Sequence, residues 1–259
     1  MENSTFKKIA SESAEAKRIL DQIDNPNGWQ LCADKDDIKT FYKKDERSNT
    51  PLHVVKLEGT VNSPIFNVLS IFYEIDLYKT WLPRLTASDN LAQYGRYRFL
   101  CYFALDMPWP FYNRDMVNYG YGVDLLETNS ILVVIRSIEK QEFDHFPGAT
   151  IPEPDANGTC RMSLNYSGIK ITPMSENQTH VTLIANVDPR ISYIPGWVMN
   201  GMTHNFAYLV LAKLRTVAAQ VPHSEYADRI KNNIIYTDIR ERMEMYFKGR
   251  GAEDQALES

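Results

Sequence analysis

The sequence predicts an α+β fold in which an antiparallel sheet packs against helices from both ends of the chain. Three pairs of strand-like segments are joined by short turns, and such short connections require antiparallel pairing. Helical patterns precede and follow the strands, an order typical of α+β proteins. A long amphipathic helix predicted at 196–219 must bury its apolar stripe, and the concave face of a curved sheet offers the space.

The helices are predicted from apolar spacing and from their start and stop signals. Ser63 and Pro64 are typical of a helix start, with the serine as N-cap and the proline at the first helical position. Pro222 ends the long helix, and the helix after it is highly charged. The predicted helices span residues 5–23, 64–75, 76–82, 196–219 and 224–247.

The strands are predicted from alternating apolar residues. The predicted strands span residues 29–33, 38–44, 51–61, 84–93, 96–106, 114–125, 130–139, 159–172 and 179–188. Two of them have a continuous apolar face, made by Tyr97, Phe99, Cys101, Phe103 and Leu105 in one strand and by Val181, Leu183, Ala185 and Val187 in the other. These faces line either the core or an apolar cavity, and the spacing alone does not decide between them.

Composition and charge exclude several classes of protein. A net charge of -5 argues against a nucleic-acid-binding protein, which normally carries a basic surface. The three cysteines are far apart and the five histidines are scattered, so we predict neither a disulfide framework nor a metal site. The polar N-terminus lacks an apolar signal region and no stretch is long enough to span a bilayer, which predicts a cytoplasmic protein.

No catalytic motif is present in the sequence. There is no nucleophile elbow, no dinucleotide-binding glycine pattern and no phosphate-binding loop. Carboxylates near predicted turns, such as Asp124 and Glu142, are more often solvated than catalytic. We therefore predict that the protein is not an enzyme and that it uses no cofactor.

Three stretches carry a resemblance to a known family. They are Asp76–Trp81 at the end of the helix pair, Trp109–Asp115 with its proline loop and Arg-Asp pair, and Asp188-Pro189 leading through Ile194–Trp197 into the long helix. Their order and spacing from about 25 to 219 resemble START domains, the steroidogenic-acute-regulatory-related lipid-transfer family. The pattern is most similar to the phosphatidylcholine-transfer-like members.

The resemblance implies a helix-grip fold, in which a curved antiparallel sheet wraps around a long C-terminal helix and encloses a lipid tunnel. It divides the chain into an N-terminal helix at 1–24, a lipid-binding domain at 25–219 and a charged helical extension with a disordered end at 220–259. The implied function is binding one lipid, a phospholipid, sphingolipid or sterol, and transferring it between membranes. A cytoplasmic monomer that contacts membranes transiently is expected.

Family members also imply which residues line the tunnel. The implied lipid-binding residues are Tyr78, Cys101, Phe103, Met116, Asn118, Ile135, Asn165, Met199, Thr203 and Phe206. The phosphatidylcholine-transfer member holds its headgroup with an arginine and three aromatics, where this chain has Tyr78, Phe103, Met116 and Asn165. Since the arginine and two aromatics are replaced, the sequence predicts a lipid without identifying it.

Two registers are possible for the strands at 114–125 and 159–172. The family register turns inward the small and polar residues Met116, Asn118, Gly120, Gly122, Ser163, Asn165 and Ser167. Simple alternation turns inward Val117, Tyr119, Tyr121, Met162, Leu164 and Tyr166 instead. We prefer the family register, because small and polar inner residues leave room and hydrogen-bonding groups for a ligand.

The proline loop at 107–113 is unusual because it carries Trp109, Phe111 and Tyr112, whereas loops are usually polar. In the ceramide-transfer member, the tryptophan at the position of Trp109 inserts into membranes, and Trp rings suit the headgroup region. Tyr193 and Ile194 lie in a second loop that lines the tunnel mouth in relatives, so we predict all three as membrane contacts. The alternative is that Trp109 and Phe111 pack under the last helix as a lid, which we prefer for Phe111 only.

Two further functions stay open. The charged tail after Pro222 permits a lipid-regulated adaptor that binds a partner. Enzymes also occur in the wider helix-grip superfamily, but they would need an acid or base in the tunnel. Arg114 and Asp115 point to opposite faces of a strand, so we predict that they form structural contacts that hold the loop.

Overall fold

The computed structural model describes residues 2–45, 53–125, 130–155, 158–191, 205–237, 239–241 and 243–245, with the backbone alone at 2–7 and 53. The α-helices are α1 (Glu2–Asp24), α2 (Ile65–Tyr73), α3 (Ala207–Gln220) and α4 (Glu225–Asn232). Short 3-10 helices span Ile75–Thr80, Lys140–His145 and Val221–His223. The first part of the helix predicted at 196–219 lies outside the described residues, and its remainder is confirmed by α3.

Ten strands of the described ranges form one sheet. They are β1 (Gln30–Lys35), β2 (Ile38–Lys44), β3 (His53–Val61), β4 (Leu85–Gln93), β5 (Arg98–Leu105), β6 (Asn113–Leu125), β7 (Ser130–Ser137), β8 (Thr159–Arg161), β9 (Ser163–Ser175) and β10 (Gln178–Asp188). Their order is β1-β2-β3-β10-β9-β7-β6-β5-β4, and β8 pairs with β6 in parallel. The three predicted hairpins, β4–β5, β6–β7 and β9–β10, are antiparallel as expected.

The two faces of the sheet bury different sets of side chains. The inner face packs against α2, α3 and the 3-10 helix Ile75–Thr80, and it carries the apolar residues predicted for β5 and β10. At the β3 end, α3 lies so close that a Cβ on Gly59 would stand 2.8 Å from Leu211. The α+β helix-grip architecture is therefore confirmed, with α3 packed on the concave face.

The outer face of the sheet is covered by α1. Ile19 and Ile23 of α1 pack on this face in a second apolar cluster. The Tyr119 hydroxyl donates a hydrogen bond to the Glu12 carboxylate at 2.7 Å, and the Arg98 guanidinium forms an ion pair with it, also at 2.7 Å. Burial of Tyr119 and its bond to Glu12 raise the pKa of the phenol. The α1 helix is thus fixed to the sheet by both apolar packing and a buried polar cluster.

Gly168 allows α1 to lie close to β9, which leads to a testable prediction. A Cβ added there would lie 2.2 Å from the Cγ2 atom of Ile19, a distance that forces the helix to move. We expect Gly168→Ala to lower the free energy of unfolding by about 1–3 kcal/mol, measured by chemical denaturation. Gly158→Ala is the matched control, because no atom lies within 4 Å of its added Cβ.

The same contact provides a second check on the packing of α1. The Ile19→Ala substitution removes the methyl group that clashes with a Cβ at position 168. The Gly168→Ala/Ile19→Ala double variant should therefore lose less free energy of unfolding than the two single variants lose in sum. A double variant whose loss of unfolding free energy equals the sum of the two single losses would contradict the proposed clash.

The register of β6 follows the family pattern. Met116 belongs to the inner cluster and Gly120 lines the cavity, whereas the Tyr119 and Tyr121 hydroxyls donate hydrogen bonds to Glu12 of α1. The simple alternation that placed these tyrosines inward is wrong for this strand, because α1 supplies an apolar partner on the outer face.

Neither register describes β9 as a whole, because the strand contains a bulge. Its pairing with β10 passes from Tyr166 directly to Leu164, which leaves Asn165 as the extra residue. Leu164 joins the inner cluster, as alternation predicts, while Tyr166 packs on the outer face. Beyond the bulge, Ile169 faces inward. Ser167 stands two positions before it and is therefore on the same face of the strand, as the family register predicts. One inserted residue therefore exchanges the two faces in the middle of the strand.

The start of α2 differs from the prediction. Helical residues begin at Ile65, and Pro64 occupies the N-cap position without a side-chain cap. The Ser63 hydroxyl instead donates a hydrogen bond to the carbonyl of Ala218 at 3.2 Å. The predicted serine cap is wrong because this hydroxyl joins α2 to the end of α3.

The two edge strands of the sheet, β1 and β4, differ in their contacts. At one edge, β1 is short, carries Asp34 and Lys35, and contains a bulge between Leu31 and Ala33. At the other edge, the Ser88 hydroxyl of β4 donates to the carbonyl of Asp76 at 3.0 Å, so the 3-10 helix Ile75–Thr80 lies along that strand.

Candidate functional site

An apolar cavity lies between the inner face of β5–β7 and the helices α2 and Ile75–Thr80. Its volume is about 150 Å³. Its lining residues are Leu69, Phe72, Tyr73, Ile75, Tyr78, Tyr97, Phe99, Cys101, Phe103, Gly120, Tyr121, Gly122, Val123, Asp124, Ile131, Val133, Ile135, Ile239 and Met243. Strands supply one wall because alternate side chains face inward, and two glycines of β6 leave the space that side chains would fill.

The deep polar groups of the cavity are neutral and already bonded. The Tyr78 hydroxyl donates to the carbonyl of Phe72 at 2.9 Å, and its ring stacks on Phe103 with centroids 5.6 Å apart. The Cys101 thiol donates to the carbonyl of Asn118 at 3.4 Å. Burial raises the pKa of Cys101 to about 12 and the pKa of Tyr78 well above its ordinary value. An uncharged hydrocarbon group suits such a surface.

Four of the residues implied by the resemblance line this cavity. They are Tyr78, Cys101, Phe103 and Ile135. Met116 lies in the same apolar cluster but not among the lining residues. Phe206 is half-buried and packs against that cluster, while Met199 and Thr203 lie outside the described residues.

Two asparagines are placed elsewhere than the resemblance implies. Asn118 is buried, but its Oδ1 accepts a hydrogen bond from the Ser137 hydroxyl at 2.7 Å and does not line the cavity. Asn165 is exposed on the β9 bulge, where its amide donates to Oδ1 of Asn186 at 2.7 Å. The expectation that Asn165 faces the cavity is wrong, because the inserted residue is turned out of the sheet.

The chain after Pro222 contributes cavity residues that the sequence analysis missed. We call residues 225–245 the C-terminal segment, of which 238 and 242 lie outside the described part. Tyr226, Ile235 and Tyr236 of this segment are buried against the body of the protein. The charged helix predicted after Pro222 is therefore not solvated on all sides in its described residues. The apolar residues of this segment recur at helical spacing, which could have indicated a buried face, but they stand among many charged residues.

An arginine of α4 holds the C-terminal segment against the cavity wall. The Arg229 guanidinium lies 2.6 Å from the carboxylate of Asp76 and 2.8 Å from that of Glu74. It also pairs with Glu225 one turn away at 2.6 Å. The Tyr236 hydroxyl donates to the Glu74 carboxylate, and its ring contacts Tyr73 edge-on at 5.5 Å.

This ion-pair cluster makes stability depend on pH. Hydrogen bonds from Arg229 lower the pKa of Asp76 below its ordinary value of 3.8. A carboxyl with a lowered folded-state pKa stabilises the protein above its ordinary pKa, and this contribution disappears as the pH falls through the lower value. We expect Arg229→Gln to lower the denaturation midpoint at pH 7, and the difference from wild type to shrink below about pH 4.

The matched control for this measurement is Lys231→Gln, which removes one positive charge from an exposed position on the same helix. It should leave the midpoint nearly unchanged at every pH. A difference between Arg229→Gln and wild type that stays constant from pH 7 to pH 3 would contradict the role of the carboxylates.

The proline loop presents two aromatic side chains to solvent. Trp109 is 90% exposed and Tyr112 is 68% exposed. Phe111 is half-buried. The alternative in which Trp109 packs under the last helix as a lid is therefore wrong.

Arg114 holds this loop in place, and Asp115, on the opposite face of β6, is bonded to Arg161 of β8. Arg114 is buried, and its guanidinium donates to the carbonyls of Pro189, at 2.6 Å, and of Tyr112 and Asn113. Asp115 is fully buried and accepts two hydrogen bonds from Arg161 at 2.8 and 2.9 Å. These contacts confirm the structural role predicted for the pair.

The fold and the cavity together define a class of protein. A curved antiparallel sheet that holds a helix on its concave face beside a partly open apolar cavity is the helix-grip arrangement of a ligand-binding protein. The chain belongs to the START-domain family, whose START domain profile matches residues 9–222. No curated protein matches the chain by sequence. None of the helices in the described ranges has the length and apolar character of a membrane span.

Solved structures show the same fold. Human STARD10 superposes with a TM-score of 0.71 at 16% identity, covering 88% of this chain and 87% of that protein. Human StAR-related lipid transfer protein 5 superposes with a TM-score of 0.69 at 16% identity, covering 83% of this chain and 98% of that protein. A STAR-related lipid transfer protein fragment from Xanthomonas axonopodis superposes with a TM-score of 0.60 at 21% identity, covering 75% of this chain and 100% of that fragment.

Proposed function

We propose that the protein binds one lipid in its internal cavity and transfers it between membranes. The apolar cavity of a START-domain chain is the observation that carries this proposal. Two structures of the same fold, human StAR-related lipid transfer protein 5 and the Xanthomonas protein, are described as lipid transfer proteins. The protein would act in the cytoplasm as a monomer that contacts membranes transiently.

The cavity lining supports an apolar ligand without fixing its headgroup. Among the described lining residues, Asp124 is the charged one, and neither lysine nor arginine is present. A phosphate group would therefore find no cationic partner on this part of the wall. The hydrocarbon part of a phospholipid, a sphingolipid or a sterol fits the same surface, with its headgroup nearer the mouth.

The proline loop is the proposed membrane contact. A tryptophan and a tyrosine together suit the boundary between headgroups and acyl chains, since each ring is largely apolar and has a polar group. Trp109 has the largest exposed fraction of the loop aromatics. Tyr193 and Ile194 remain proposed partners in this contact, although both lie outside the described residues.

Native mass spectrometry of the purified protein, combined with lipid extraction of the same sample, tests the binding step. We expect one lipid per chain, either already bound or taken up from vesicles of mixed phospholipids, ceramide and cholesterol. A chain that stays empty after incubation with those vesicles would remove the lipid-binding proposal and strengthen the enzyme and adaptor alternatives.

The transfer step is tested at Trp109. We expect Trp109→Ala to slow lipid transfer between vesicles several-fold while the melting temperature stays unchanged, because an exposed side chain contributes little to folding. Leu31→Ala is the matched control, since Leu31 is 57% exposed at the far edge of the sheet. Equal transfer rates for the Trp109 variant and wild type would refute the contact.

A further inference from the structure

The C-terminal segment begins after the span that matches the START-domain family, yet two of its residues line the cavity. The family match ends at residue 222. Ile239 and Met243 nevertheless lie in the cavity wall, beside lining residues from α2 and from β5–β7. Met243 is buried, and Ile239 packs against the inner apolar cluster. The wall is therefore completed by residues from outside the matched domain.

The apolar residues of the C-terminal segment divide into two groups with different surroundings. Ile239 and Met243 are four positions apart, the spacing that puts both side chains on one helix face. Ile234 and Met245, of the same two residue types, are 83% and 66% exposed. The contacts of Ile239 and Met243 thus reflect position on the segment rather than apolar character alone.

Specific polar contacts fix the segment in this position. Arg229 joins α4 to Glu74 and Asp76, which stand at the junction of α2 and the 3-10 helix Ile75–Thr80. Tyr236 is buried, bonds to the same Glu74 and packs edge-on against Phe66, with ring centroids 5.5 Å apart. Both helices that receive these contacts carry cavity residues, so the segment is placed relative to the cavity itself.

We propose that Ile239 and Met243 are specificity-determining residues that close one end of the cavity and limit the length of the hydrocarbon chain that it accepts. The inference rests on the proposed lipid-binding function. A side chain in the end wall excludes methylene groups that would otherwise be buried, and each extra methylene that can be buried raises affinity about fourfold. Shortening these two side chains should therefore extend the accepted chain.

The experiment uses the full chain and a simple series of probes. Saturated fatty acids from decanoic to octadecanoic acid compete with cis-parinaric acid, whose fluorescence rises in an apolar site. We expect the Ile239→Ala/Met243→Ala variant to bind the longer acids at least about fourfold better, relative to the shorter acids, than wild type does. The control variant, Ile234→Ala/Met245→Ala, should keep the wild-type profile.

A second variant keeps the inference testable if the double alanine variant does not fold. Ile239→Trp adds volume to the end wall, and it should shift the preference toward shorter acids. An unchanged chain-length profile in a folded variant that binds cis-parinaric acid would overturn the inference and leave the proposed function standing. Failure of wild type to bind either cis-parinaric acid or any fatty acid would overturn the inference, whereas the proposed function is decided separately by the uptake of phospholipid, ceramide or cholesterol.

Discussion

Gly120→Leu is expected to abolish lipid binding while leaving the protein folded. Gly120 lies on the inner face of β6 in the cavity wall. A Cβ added there would lie 3.6 Å from Ile135 Cγ1 and from the carbonyl of Val134, which are ordinary contact distances. The backbone therefore accepts a side chain, and the rest of a leucine must occupy cavity space. We expect lipid occupancy, measured by native mass spectrometry, to fall at least about tenfold.

Gly158→Leu is the matched control for this variant, since its added Cβ meets no atom within 4 Å. It should bind lipid as wild type does. Circular dichroism and thermal denaturation should show both variants folded, with melting temperatures close to that of wild type. Normal occupancy in a folded Gly120→Leu protein would show that the ligand does not lie in this cavity.

Arg114→Ala is expected to have the largest effect on stability. Its buried guanidinium donates to three backbone carbonyls, which belong to the proline loop and to Pro189. Removing it leaves the carbonyl of the buried Pro189 without its donor, which costs about 1–3 kcal/mol, and it also leaves a cavity where the buried arginine side chain stood. We expect the free energy of unfolding to fall by about 3 kcal/mol or more in chemical denaturation.

Two further variants show whether the loss comes from these hydrogen bonds. Arg114→Lys keeps the charge but not the planar fork of donors, so it should recover only part of the stability. Lys140→Ala removes one partner of an ion pair that is largely exposed, and its effect should lie within experimental error. Full recovery by lysine would mean that the charge alone holds the loop.

Much of the fold could be predicted because the strands obey simple rules. The alternating apolar residues of β5 and β10 identified their inner faces correctly, since each strand runs without interruption along that face. The bulge at Asn165 could not be predicted, because an extra residue leaves no mark on composition and still reverses the parity of its neighbours. The family resemblance predicted wrongly that Asn165 faces inward, because it too assumed a strand without an inserted residue.

The cavity was predictable in part. Tyr78, Cys101, Phe103 and Ile135 lie on regular elements whose inward positions follow from the fold, and the structure places them in the wall. Ile239 and Met243 were missed because their helix is rich in charges and lies beyond the expected domain. Their position depends on long-range contacts of Arg229 and Tyr236, which spacing along the chain does not reveal.

The irregular β1 edge of the sheet has a consequence for self-association. An open sheet ends in strands with free backbone donors and acceptors, and two copies of a protein can join through them into a continuous, aggregation-prone sheet. Here the charged, bulged β1 presents an irregular edge. The β1 edge is thus a poor template for the addition of a strand from a further copy of the protein.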